Sequence, residues 1–67
     1  MELSELKIND EITRMISGII PMSLKITNID DKYIYCGDWK FSKTNGAEID
    51  EDLNWDENNT GSFIKLN

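Results

Sequence analysis

The sequence predicts a mainly β protein, a small antiparallel β-barrel with one short helical turn. Three observations lead there. Apolar and polar side chains alternate from Met22 to Thr27, the period-2 signature of a half-buried strand. Runs rich in aromatic and β-branched residues follow at short intervals, separated by Asn28–Asp31, Gly37-Asp38 and Asn45-Gly46, which favour turns. The chain is 67 residues long. That is room for one small domain, which buries only about 60% of its unfolded surface.

The first ten residues form a polar lead-in, and residues 11–67 form the single domain. Two readings compete between Leu3 and Pro21. Leu3, Leu6, Ile8, Ile12, Met15, Ile16 and Ile19 fit a helical stripe. Glu11–Ile16 also fits a strand, with Ile12, Arg14 and Ile16 on one face and Thr13 and Met15 on the other. Periodicity slightly favours the helix. The strands downstream favour the strand, since a lone helix leaves them one edge short of a closed core.

Next comes the strand Met22–Thr27, then a turn at Asn28–Asp31 whose short polar side chains suit local backbone hydrogen bonds. Lys32–Cys36 reads as the following strand, and Gly37-Asp38 turns the chain into Trp39–Ser42, with Trp39 and Phe41 on one face. Asn45-Gly46 supplies the positive φ angles of a tight reversal. Ala47–Asp50 reads as a brief strand, Glu51–Leu53 as the helical turn, Asn58–Gly61 as loop and Ser62–Leu66 as the closing strand. Closure into a barrel removes exposed edges. The six rings, Tyr33, Tyr35, Trp39, Phe41, Trp55 and Phe63, are expected to supply most of the core, with one or two partly exposed.

Composition excludes more than it identifies. Thirteen Asp and Glu against seven Lys and Arg give a net charge of −6. That balance opposes attraction to phosphate or anionic lipid. Lys25, Lys32, Lys40 and Lys43 are spread among acids, so direct nucleic-acid binding is not expected. No apolar run approaches the length of a membrane span, and the charged start lacks an apolar leader core. Cys36 is the only cysteine and there is no histidine, so neither an internal disulfide nor a Cys/His zinc site is available. Cys36 reads as a small buried hydrophobe, and a cytoplasmic location is expected.

No catalytic residue, cofactor or metal site is assigned. The series Asp50, Asp52, Asn54, Asp56, Asn58 starts like a calcium loop, but Trp55 and Gly61 stand where that loop needs glycine and a bidentate glutamate. No histidine or serine–base pair accompanies the carboxylates, so an enzyme is not expected. The candidate binding residues are Trp55 with Asp50, Glu51, Asp52 and Asp56. A surface ring rimmed by acids suits a protein partner carrying a basic or proline-rich segment. The alternative places Trp55 over the barrel mouth as a structural cap. A non-catalytic protein-binding module, monomeric or weakly homodimeric, is the leading reading. An acidic inhibitor or nucleic-acid mimic acting on a DNA-binding enzyme is the second, and a metal-dependent module the third.

One pattern goes beyond these arguments. Arg14-Met15 with Gly18, then Gly37-x-Trp39-x-Phe41, Thr44-x-Gly46-Ala47-Glu48-Ile49-Asp50-x-x-Leu53-x-Trp55 and Thr60-Gly61-Ser62-Phe63-Ile64 resembles a family of very small uncharacterised bacterial proteins. The resemblance covers residues 11–64 and implies a compact bacterial β domain, with a strand at residues 11–16. It carries over no activity. The strand-loop-strand opening is also similar to Src-homology-3-like small barrels, a fold analogy that assigns no function.

Overall fold

Alternation does specify this fold. In the computed structural model, which describes residues 3–65, the chain forms seven short strands: β1 Glu11–Ile16, β2 Ile20–Lys25, β3 Asn28–Ile29, β4 Tyr33–Cys36, β5 Trp39–Ser42, β6 Glu48–Ile49 and β7 Ser62–Lys65. They make two antiparallel sheets, one ordered β2-β1-β7 and the other β3-β4-β5-β6. Among the described residues no ladder joins β2 to β3, so the strands are two sheets and not one closed ring. The sheets meet at the isolated Ala47–Phe63 bridge, where the Ile64 amide donates to the Gly46 carbonyl at 2.8 Å.

Residues 11–16 are a strand, with the facing expected of it. Ile12 and Arg14 are buried while Thr13 and Met15 are half-buried on the other side. β1 is the central strand of its sheet, with Arg14 opposite both Met22 and Ile64. The helical stripe fails because its members do not share an environment: Ile8 is 52% and Ile19 78% exposed, while Ile12 is buried. Among the described residues helical geometry survives only as a 3₁₀ turn at Leu3–Glu5. That turn sets Leu6 into the core. Backbone bonds from Asn9 to the Ile26 carbonyl (2.8 Å) and from Ile26 to the Asp10 carbonyl (2.9 Å) then stitch the lead-in to the end of β2.

Gly37 has φ 63° at the first central position of the β4–β5 hairpin loop. Residues bearing a side chain resist that conformation, which tight hairpin turns demand. The β5–β6 connection is longer than a tight Asn-Gly turn. Gly46 takes a positive φ, and Asn45 instead clamps the loop, accepting from the Ala47 amide (3.0 Å) and donating to the Glu57 carbonyl (2.8 Å).

Two further expectations need correction. Glu51–Leu53 is not helical. Asp50 and Trp55 exchange two backbone hydrogen bonds (2.8 and 3.1 Å), closing residues 51–54 as a turn with Asn54 at φ 58°. Nor is the interior predominantly aromatic. Phe41 is the one fully buried ring, surrounded by Leu6, Ile12, Ile26, Ile34, Cys36 and Ile64. Tyr33 and Tyr35 alternate with the buried Ile34 and Cys36 and therefore face outward. Asn28–Ile29 pairs with β4 as a short strand where composition favours a turn. Leu66, expected in the closing strand, lies outside the described residues. No helix among the described residues is long and apolar enough to cross a membrane.

Candidate functional site

The register of β4, β5 and β6 decides which side chains meet. Tyr35 lies opposite Lys40, and Lys40 opposite Ile49, so the three share the outward face of their sheet. The β4–β5 turn adds Asp38, β5 adds Trp39, and the turn after β6 adds Asp50, Glu51 and Asp52. Together with Glu48 these residues line an open groove of about 450 Å³. Aromatic and aliphatic surface from Tyr35, Trp39 and Ile49 is thus flanked by Asp38, Asp50, Glu51, Asp52 and one lysine.

The groove wall is held in place from behind. Glu48 is buried on β6, and its Oε1 accepts from Arg14 Nε at 2.6 Å, with the two side chains 2% and 10% exposed. The Arg14 guanidinium carbon also sits 4.8 Å from the Trp39 ring centroid. This is a cation–π arrangement. Thr60 donates its hydroxyl to the Glu48 carbonyl at 2.9 Å. Side chains from β1, β6 and the loop before β7 thereby fix the orientation of Trp39 and the start of the acidic turn.

The acidic turn is itself ordered. Asp50 Oδ1 accepts from the Asp52 amide at 3.0 Å. Asp56 Oδ1 accepts from the amides of Asn58 (2.8 Å) and Asn59 (2.9 Å), so this carboxylate organises the next loop. Trp55 is half-buried. A Cβ built on Gly61 would lie 2.7 Å from Trp55 Cζ2, so the ring lies directly on the Gly61 backbone.

Of the residues singled out from sequence, Asp50, Glu51 and Asp52 come together on the groove. Trp55 and Asp56 do not line it. Asp38, Tyr35, Trp39, Lys40 and Ile49 complete it, and sequence reasoning does not group them. For Tyr35, Lys40 and Ile49 the signal is pairing register, which a single strand does not reveal. The most exposed ring among the described residues is Phe63, at 41%.

Hydrogen bonds shift Tyr35, which lines the groove, and Asp30, which does not. Asp30 accepts from the Lys32 amide (2.8 Å), the Tyr33 amide (2.7 Å) and the Tyr35 hydroxyl (2.8 Å). These donors hold its carboxyl below the usual value. The same contact raises the Tyr35 phenol above its usual value. Lys40 Nζ lies 4.6 Å from the Tyr33 ring centroid. Burial pushes the Cys36 thiol up to about 11. That shift takes it away from thiolate reactivity. Among the described residues no three His, Cys, Asp or Glu side chains converge as a metal site.

Compared with protein-family models, curated proteins and solved structures, the chain shows no match to any of them.

Proposed function

We propose that this chain is a non-catalytic protein-binding module that takes a basic segment of another protein into the groove bounded by the 50–52 turn. The supporting observation is the juxtaposition of Tyr35, Trp39 and Ile49 with Asp38, Asp50, Glu51 and Asp52 around one opening. Apolar surface gives affinity to the stem of a lysine or arginine, and the carboxylates favour its charged end. Trp39, already oriented by Arg14, takes the place that sequence reasoning gives to Trp55.

A titration of the full chain with a lysine- and arginine-rich peptide, followed by calorimetry, tests this. The D50N/E51Q/D52N variant should lose about tenfold or more in affinity, with binding weakening steeply as salt rises. Equal binding by the variant would refute the reading.

Charge segregation favours a second reading, an acidic inhibitor or nucleic-acid mimic for a DNA-binding enzyme. Residues 26–61 carry nine acids against three lysines. Competition by duplex DNA for the same partner would distinguish it. A bacterial, cytoplasmic setting belongs to the proposal, its cytoplasmic half supported by the single buried thiol. An open Src-homology-3-like barrel is proposed for the fold, supported by the Ala47–Phe63 bridge and the continuous run from β2 into β3.

A further inference from the structure

The β5–β6 loop carries a chemistry that the groove does not use. Asn45-Gly46 is the only asparagine–glycine pair in the chain. In such a pair the glycine amide nitrogen can attack the asparagine side-chain carbonyl carbon, because the following residue has no Cβ to shield the approach. Asn45 is exposed and lies outside the groove. Both reacting groups are nonetheless tied down. The Gly46 amide donates to the Ser42 carbonyl at 2.9 Å. Asn45 Nδ2, the leaving group, donates to the Glu57 carbonyl at 2.8 Å, and Asn45 Oδ1 accepts from the Ala47 amide at 3.0 Å.

The same few residues fasten the two sheets. The Gly46 carbonyl accepts from the Ile64 amide at 2.8 Å, and Ala47 bridges Phe63. Ser42 is fully buried and anchors the loop: its Oγ donates to Glu57 Oε1 at 2.8 Å and accepts from the Thr44 amide at 3.1 Å. A change of backbone length at Asn45 is therefore transmitted straight to the sheet junction.

We propose that Asn45-Gly46 is a self-modification site, a deamidating pair that the folded loop restrains and whose product unfastens the two sheets. The Gly46 nitrogen bonds to Asn45 Cγ, and its proton leaves with the side-chain amide nitrogen as ammonia, closing a succinimide ring. Water then opens the ring at either carbonyl to give aspartate or isoaspartate. The net change is one water gained and one ammonia lost. Aspartate sets a carboxylate oxygen against the Glu57 carbonyl where an N–H stood, leaving two acceptors with no donor between them. Isoaspartate also lengthens the backbone by one carbon just before the Gly46–Ile64 bond. The loop has to open before the ring can close, so the rate follows the local stability of this loop and not the sequence alone.

Mass spectrometry of the peptide carrying Asn45, after incubation of the full chain in mildly alkaline buffer, tests this. In denaturant Asn45 should deamidate faster than any other asparagine, and in the folded protein at least about tenfold more slowly than in denaturant. Glu57→Ala, a change at an exposed position that releases the Ser42 hydroxyl, should raise the folded-state rate severalfold at Asn45 alone. Asn45→Asp should lower the urea midpoint, and folded protein enriched in isoaspartate should unfold at lower urea still. Equal rates in the folded and denatured chains would overturn the proposal, as would another asparagine reacting first in denaturant. So would a folded-state rate indifferent to Glu57→Ala, or one that rises equally at Asn9, Asn28 and Asn54 and so reports global unfolding. An isoaspartate-bearing chain as stable as the original would sink the link to the sheet junction.

Discussion

Arg14 on β1 and Glu48 on β6 form a buried ion pair at 2.6 Å, joining the two sheets at a point where no ladder does. Sealing charges away from water is costly, and the cost is offset only while both partners are present. Arg14→Met or Glu48→Leu alone should destabilise the protein by about 3–5 kcal/mol. In a domain this small that change is enough to leave much of the chain unfolded. The double replacement by Met and Leu should recover most of the loss. Urea unfolding of the three variants measures this, and additive single effects would show that the pair is not coupled.

Gly61 should tolerate no side chain. Its backbone lies against the Trp55 ring, closer than a methyl group can approach. Gly61→Ala should cost about 1–3 kcal/mol as the ring is displaced. Tryptophan emission should shift to longer wavelength because Trp55 moves toward water. An unchanged spectrum and midpoint would show that the ring yields freely.

Phe41 and Phe63 separate interior from surface. Phe41 is fully buried, whereas Phe63 is partly open to solvent. Phe41→Ala should cost about 3–5 kcal/mol, and Phe63→Ala much less, within about 1 kcal/mol. Thermal unfolding of both variants at low protein concentration gives the comparison.

Cys36 predicts a pH dependence on the alkaline side. Its folded pKa rises from 9.0 to about 11. The cause is burial, which disfavours the thiolate. The unfolded chain therefore gives up this proton first as pH increases. The stability linked to Cys36 is complete below pH 9 and declines as pH climbs toward about 11. Cys36→Ala should flatten that part of the stability profile. Thiol alkylation of the native protein should also be much slower than in denaturant.

Local signals and long-range ones are not equally legible. Strands β1, β4 and β5 emerge within a residue or two of their bounds, since alternation and turn residues act over a few positions. The phase of alternation is harder. Tyr33-Ile34-Tyr35-Cys36 places apolar groups on both faces, and sequence does not say that the smaller pair points inward. Glu48 reads as one more acid in a polar segment, because its partner Arg14 is 34 positions away. The Glu51–Leu53 turn has composition that suits a helix start, yet the Asp50–Trp55 bridge closes it too tightly for one. A third of the groove lining is legible through Asp50, Glu51 and Asp52. Tyr35, Lys40 and Ile49 join them only through cross-strand register, and Trp39 through its contact with Arg14.

Amide and indole NMR of the labelled chain, titrated with a lysine- and arginine-rich peptide, addresses the groove most directly. Shifts concentrated at the Trp39 indole, Ile49 and residues 50–52 are the expected result. Undisturbed signals there, or shifts confined to β1, β2 and β7, would contradict the assignment of the groove as the binding site.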